Sequence, residues 1–159
     1  MIYSVARFTM QHFPQVRTTV ENTCGEDFRR PSIILCNHQS HLDLMCLLML
    51  TPKLIILTND WVWHSPFYGR RIRYADFYPI TEGLDRTLEH LRDVKRQGYS
   101  IAVFPEGTRS VDCSLLRFRR GAFYLAQQLN MDLLPVVLHG TGHVLPKQDF
   151  MLRRGSIHI

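Results

Sequence analysis

The feature that most constrains this chain is an alternation. Short apolar, β-branched runs are separated, again and again, by stretches with helical periodicity. "SIILC" (32–36), "LIIL" (54–57), "YSIAVF" (99–104) and "LLPVVLHG" (133–140) read as strands, and "FYPI" (77–80) as a further short one. "LMCLLML" (44–50) is apolar all round, which suits a buried helix, and Pro52 stops it at Thr51. In 84–97, Leu84, Leu88, Leu91 and Val94 share one face, with Asp85, Glu89, Arg92 and Lys95 away from it, and Gly98 closes the helix. From about 119 to 129, Ala122, Leu125, Ala126 and Leu129 form another stripe, ended by Asn130. This β-α-β rhythm predicts an α/β fold, a mostly parallel or mixed sheet flanked by helices.

A chain of 159 residues fits one domain with one real core, and 45% hydrophobic against 21% charged residues excludes a disordered class. Residues 1–159 are expected to be a single domain cut from a longer protein, because "RRGSIHI" reads as a turn and a strand that ends as it starts. No signal peptide opens the sequence, and "MIYSVARFTMQHF" reads as an amphipathic helix with Ile2, Val5, Ala6, Phe8, Thr9 and Phe13 partly on one side. That face packs on the domain or lies on a membrane surface. No stretch reaches the ~18 apolar residues of a membrane span. The best one, "LDLMCLLMLTPKLIIL", is broken by Asp43, Pro52 and Lys53.

The four cysteines form no CxxC pair, so neither a zinc ribbon nor a disulfide framework is expected. Cys36 and Cys46 sit in apolar runs as core thiols, which suits a reducing compartment. The net charge of +5 suits an anionic partner: phosphate, an anionic membrane or nucleic acid. Arginines cluster at 70–73, 117–120 and 153–154, and each cluster alone reads equally well as a solvated basic face. With no helix-turn-helix, zinc-finger or ribonucleoprotein aromatic signature, nucleic acid is set aside as a partner.

In parallel sheets ligands collect at the carboxyl ends of strands. "NHQSHLD" (37–43), "FPEGTRS" (104–110) and "HGTGH" (139–143) each follow a strand. The first admits three chemistries. His38, His41 and Asp43 could contribute to a metal site, but the helical spacing of metalloproteases is missing and a distant ligand such as His64, His139 or His143 would have to converge. Ser40 could be a nucleophile, but no Gly-x-Ser-x-Gly elbow exposes it. Third, Asp43 at the start of the helix could fold back onto His38. It would fix one ring nitrogen as donor and leave the other to take a proton, making a general base with no covalent intermediate. Asn37 and Ser40 then read as turn and capping residues, and His41 as a second polar contact or a half-buried structural histidine.

"FPEGTRS" supplies what a base lacks. Pro105 ends the strand, Gly107 allows close approach to the backbone, and Arg109 offers a planar fork to phosphate. Glu106 can accept from a substrate hydroxyl or hold Arg109, while Thr108 and Ser110 add hydroxyls. The bland alternative is a turn carrying a surface salt bridge.

Taken together, the two loops resemble a known family. "NHQSHLD" resembles the Asn-His-x-x-x-x-Asp block of glycerolipid acyltransferases, the glycerol-3-phosphate and 1-acylglycerol-3-phosphate acyltransferases. "FPEGTRS" is similar to the same family's Phe-Pro-Glu-Gly-Thr-Arg-Ser block, position for position, and "FRRGAFYLA" and "LLPVVLHG" are similar to its downstream stretches. The resemblance covers about residues 30–142 and implies a glycerol-3-phosphate acyltransferase-like α/β fold. It implies His38 as the base and Asp43 as its orienting partner. Glu106, Gly107, Thr108, Arg109 and Ser110 become acceptor-binding residues, with Arg73, Arg117 and Arg119 as additional phosphate contacts. The implied acceptor is a lysolipid, 1-acylglycerol-3-phosphate first. The acyl donor is acyl-CoA or acyl-acyl carrier protein, with no cofactor and no metal. The implied location is the cytoplasmic face of the inner membrane, peripheral or tethered. One block departs from the family. Where it carries Gly-x-x-Phe-Ile-x-Arg, this chain has "YGRRIRYADFYPI", which places Phe77 on the aromatic but Ile80 on the arginine. Arg73 or Arg86 replaces that arginine, or the acceptor is another lysolipid, or the domain binds anionic lipid without catalysis.

Overall fold

The computed structural model describes residues 2–58, 77–79, 84–149 and 151–159. Along the chain these form α1 (Ile2–His12), β1 (Val16–Thr19), β2 (Ser32–Cys36), α2 (Leu42–Leu48), β3 (Leu54–Thr58) and β4 (Phe77–Pro79). Then come α3 (Leu84–Arg96), β5 (Ser100–Val103), α4 (Gly121–Leu129), β6 (Asp132–Val136), the single turn α5 (Thr141–Val144) and β7 (Gly155–His158). The short helix expected in "NDWVWHSPFYG", and Arg73 with it, lie outside the described residues.

Five strands pair in the order β4-β3-β5-β2-β6, every pair parallel. The central strands β2, β3 and β5 are apolar on both faces because both of their faces are covered. Alternate residues of a strand point to opposite sides. Ile33, Ile55, Leu57, Ile101 and Val103 pack with Leu88, Leu91 and Val94 of α3 and with all four stripe residues of α4. Their neighbours Ile34, Cys36, Leu54, Ile56 and Ala102 pack on the other side with Ala6 and Met10 of α1 and Cys46 and Leu47 of α2. The sheet is therefore a middle layer, and a one-residue slip of any central strand would exchange the two cores.

The boundaries differ from expectation for identifiable reasons. α2 begins at Leu42 rather than 44, because Asp43 accepts hydrogen bonds from the backbone N–H groups of Gln39 and Ser40 (2.6 and 2.8 Å) and tightens the turn before it. α4 begins at Gly121 rather than 119, since the Arg119 N–H is already donated to the Pro105 carbonyl at 2.8 Å. It ends on Asn130 in the left-handed region (φ 47°). β6 stops at Val136 rather than 140. From there the Asn37 side chain replaces the ladder, donating to the Leu138 carbonyl and accepting the Leu138 N–H, both at 2.8 Å. Pro135 is tolerated because β6 is an edge strand. The first helix buries Ala6 and Met10 and leaves Val5 and Phe8 exposed, so its expected face is only partly right.

The expected strand in "RRGSIHI" is β7, and its partner is β1, a parallel pairing that joins the two ends of the chain. An antiparallel bridge between His139 and His158 ties this small sheet to the segment after β6. Cys36 and Cys46 are buried core thiols. Burial, with Asp43 nearby, pushes the Cys46 thiol up to about 12 and raises Cys36 as well, so neither is a ready nucleophile.

Candidate active site

Three loops meet at the carboxyl ends of β2, β5 and β6. The loop after β2 places His38 Nδ1 2.8 Å from Asp43 Oδ2. The same oxygen accepts the Gln39 and Ser40 N–H groups, so three hydrogen bonds converge on one atom of a fully buried carboxylate. Bonds to a charged acceptor contribute about 1.5–3 kcal/mol each, and such a cluster fixes the carboxylate as an acceptor. Nδ1 must then be the protonated nitrogen, and Nε2 is left to accept a proton. The His38 ring is stacked on Phe104, centroids 4.0 Å apart and planes 20° from parallel, and its side chain keeps 17% exposure. It can turn neither toward the core nor away from the mouth without losing one of these contacts.

The loop after β5 braces that base. Glu106 is buried, and its two oxygens accept the His38 N–H (2.8 Å) and the Leu116 N–H (2.9 Å). Ser110 donates its N–H to the His38 carbonyl at 2.9 Å and its hydroxyl to Asp112 at 2.9 Å. Asp112 also accepts from the Ser114 hydroxyl and N–H, and this hydrogen bonding holds its carboxyl at about 2. Glu106 and Ser110 thus face the backbone of the neighbouring loops. The outward members are Gly107, Thr108 and Arg109. Gly107 turns at φ +72°, and a Cβ there would lie 3.0 Å from the Arg119 guanidinium carbon, so a bare backbone lets Arg119 lie across this turn. Thr108 is exposed, and Lys147 places its ammonium 2.7 Å from the Arg109 carbonyl and 3.4 Å from Thr108 Oγ1. Arg117 lines an open depression of 530 Å³ with Glu106, Leu116, Phe118, Arg119 and Arg120. Arg86 is exposed on α3.

His41 is half-buried beside this cluster. Its pKa is lowered first by burial and then by the positive charge of Arg109, so the ring is neutral at neutral pH. The third loop completes the brace, with Ser40 Oγ donating to the Leu145 carbonyl (2.8 Å), while Gln39 Nε2 donates to the Cys113 carbonyl (2.9 Å) further along the loop after β5. Ser40 also accepts the Leu42 N–H at 3.2 Å, a turn bond and not a cap, because the helix N-cap is His41; Asn37 likewise bridges to Leu138 rather than capping. Among the described residues no group of three His, Cys, Asp or Glu side chains is arranged to hold a metal.

Two contributors have roles that the sequence does not reveal. Phe104 opens the "FPEGTRS" block but reads there only as the end of a strand, and Lys147 lies outside both motif loops.

The site, in class, is a histidine-carboxylate pair next to a cluster of cations at the top of a parallel sheet. Residues 10–139 match the family model described as Acyltransferase, and the chain belongs to that family. It is 30% identical over 136 residues to a 1-acyl-sn-glycerol-3-phosphate acyltransferase of Chlamydomonas reinhardtii, covering 82% of this chain and 41% of the relative. The enzyme of that name from Saccharomyces cerevisiae is 31% identical over 137 residues, covering 81% and 45%. The crystal structure of the 1-acyl-sn-glycerophosphate acyltransferase PlsC from Thermotoga maritima matches with a TM-score of 0.79 at 25% identity, over 99% of this chain and 64% of that one. The chain thus spans less than half the length of these two curated relatives.

Proposed function

We propose that this domain transfers a fatty acyl group from acyl-CoA or acyl-acyl carrier protein to the free hydroxyl of a lysophospholipid, 1-acylglycerol-3-phosphate first, in phospholipid biosynthesis. The observation that carries the reading is the 2.8 Å contact between His38 Nδ1 and Asp43, which reserves Nε2 as a base beside the Gly107–Arg109 turn. Nε2 takes the proton of the acceptor hydroxyl as its oxygen attacks the thioester carbonyl. The tetrahedral intermediate collapses, the C–S bond breaks, and the imidazolium returns its proton to the departing thiolate. Asp43 stabilises the imidazolium throughout. No acyl-enzyme forms.

The acceptor phosphate is held by Arg109 and Arg119, with Lys147 and Thr108 at the rim and Arg117 nearby. Lys147 adds a further cation at this rim. Holding the phosphate fixes the hydroxyl against Nε2, and such positioning is a large share of catalysis for a bimolecular transfer. The acceptor is an amphiphile, so the domain works at a membrane surface, in this reading the cytoplasmic face of the inner membrane. No helix among the described residues is long and apolar enough to cross a membrane. Attachment is then peripheral or through other segments.

The test is acyl transfer from both donors to a panel of lysolipids differing in headgroup, wild type against His38→Ala. Loss of a positioned base should lower turnover by about 10²–10⁴-fold. Wild-type turnover in His38→Ala would sink the mechanism, and a preference for a lysolipid without a phosphomonoester would sink the acceptor assignment.

A further inference from the structure

We infer that residues 115–124, the end of the loop after β5 and the first turn of α4, are the face by which the domain rests on an anionic lipid bilayer. The inference rests on the lysolipid reading above and states where the lipid surface meets the domain. The segment "LLRFRRGAFY" contains three arginines and no carboxylate. Within it Leu115 is 66% exposed, Phe118 40%, Phe123 43% and Tyr124 40%. α4 buries Ala122, Leu125, Ala126 and Leu129 in the core, so Phe123 and Tyr124 on its other side are outward by construction, and Leu115 and Phe118 are exposed in the loop just before it.

Single exposed apolar residues are ordinary. Four within ten residues, interleaved with arginine, are not: the apolar groups enter the headgroup region while guanidinium groups meet lipid phosphates. Met151 and Leu152 beside Arg153 repeat the pattern in miniature, but Asp149 engages Arg153 at 3.0 Å. A second copy of this chain is a poor occupant, since a self-contact would bring the same arginines together with no carboxylate between them. An anionic bilayer complements them.

The position agrees. Glu106 accepts the His38 N–H through one oxygen and the Leu116 N–H through the other, so the segment starts one carboxylate away from the base. The depression of 530 Å³ between Glu106 and residues 116–120 opens on the same face. A lysolipid anchored in the leaflet reaches His38 from here with its tail still in the membrane.

The experiment is co-sedimentation with phosphatidylcholine vesicles, with and without phosphatidylglycerol. Wild type should bind only the anionic vesicles, and less as salt rises. Arg120→Glu should lower partitioning by about tenfold. Leu115→Ser with Phe123→Ser should lower it by about tenfold or more. Val137→Ser, equally exposed but on the β6 side without arginines, should leave it unchanged. All these sites are on the surface, and thermal melts check that each variant folds. Turnover on a short-chain, monomeric lysolipid should survive in the Leu115→Ser, Phe123→Ser variant while turnover on vesicle-embedded lysolipid falls. Wild-type binding by both segment variants overturns the inference. So does a change of oligomeric state with vesicle binding intact, which would assign the face to self-association. Absence of acyl transfer by wild type to every acceptor would sink the lysolipid reading, and the vesicle pattern would still decide the docking face.

Discussion

The two motif loops are built in opposite ways. The loop of residues 37–43 is closed: Asp43 collects its own turn, and each residue from Asn37 to Ser40 is bonded to a neighbouring loop. The loop of residues 104–110 is divided. Phe104, Glu106 and Ser110 turn inward and hold His38 by ring, N–H and carbonyl. Gly107, Thr108 and Arg109 stay at the rim with Arg119 and Lys147. Adjacent residues of one motif therefore do different physical work, some acting on a ligand and some acting on the other motif. In the family resemblance Glu106 is an acceptor-binding residue, yet both its oxygens are engaged by backbone donors, which suits a residue that sets the distance between the loops.

Asp43→Asn is the strongest way to break the closed loop. The amide keeps the shape but can present N–H to His38 Nδ1, which would move the ring proton to Nε2 and abolish the base. Turnover should fall by about 10²–10⁴-fold with the acceptor KM little changed. Turnover within tenfold of wild type would mean that the carboxylate only holds the turn.

The next two variants test the division of the second loop. Glu106→Gln can still accept one backbone N–H, but its amide NH₂ opposes the other. Losing one charge-assisted bond costs about 1.5–3 kcal/mol, which lowers Tm by roughly 5 °C in a domain of this size. Turnover should fall with it, because His38 loses its anchor. Arg109→Ala should do the reverse: an acceptor KM raised by about tenfold or more, with Tm at neutral pH unchanged. If Glu106→Gln raised KM without lowering Tm, its carboxylate would belong with the rim, and the proposed division would be wrong.

Much of this is legible in the sequence, for reasons that differ by element. The stripes of α3 and α4 are readable because each buries one face, and Leu88, Leu91, Val94, Ala122, Leu125, Ala126 and Leu129 are all in the core. α1 is harder, since its buried face is only Ala6 and Met10 while its larger residues Val5 and Phe8 stay in solvent. β1 escapes a sequence reading because "VRTT" has no apolar run; its pairing comes from β7, far along the chain. At the site, the His38–Asp43 pair can be foreseen from spacing because both ends lie in one turn. The inward role of Glu106, the ring of Phe104 and the approach of Lys147 depend on contacts between distant segments, which spacing does not encode.

The smallest predicted effect joins the two loops. His41 belongs to the first loop and Arg109 to the second, and the Arg109 charge helps to depress the His41 pKa from 6.5. A folded value below the unfolded one means that the unfolded chain takes up the proton first as pH falls. Stability from this group is then full above pH 6.5 and declines below it, down to the folded value. Arg109→Ala removes one cause and leaves burial, so the His41 titration should shift upward, part of the way to 6.5, and the acid-side decline in Tm should become shallower. Following the His41 ring protons by NMR across the titration measures the shift directly. An unmoved titration would place the guanidinium of Arg109 away from the first loop, and with it the cation beside the base.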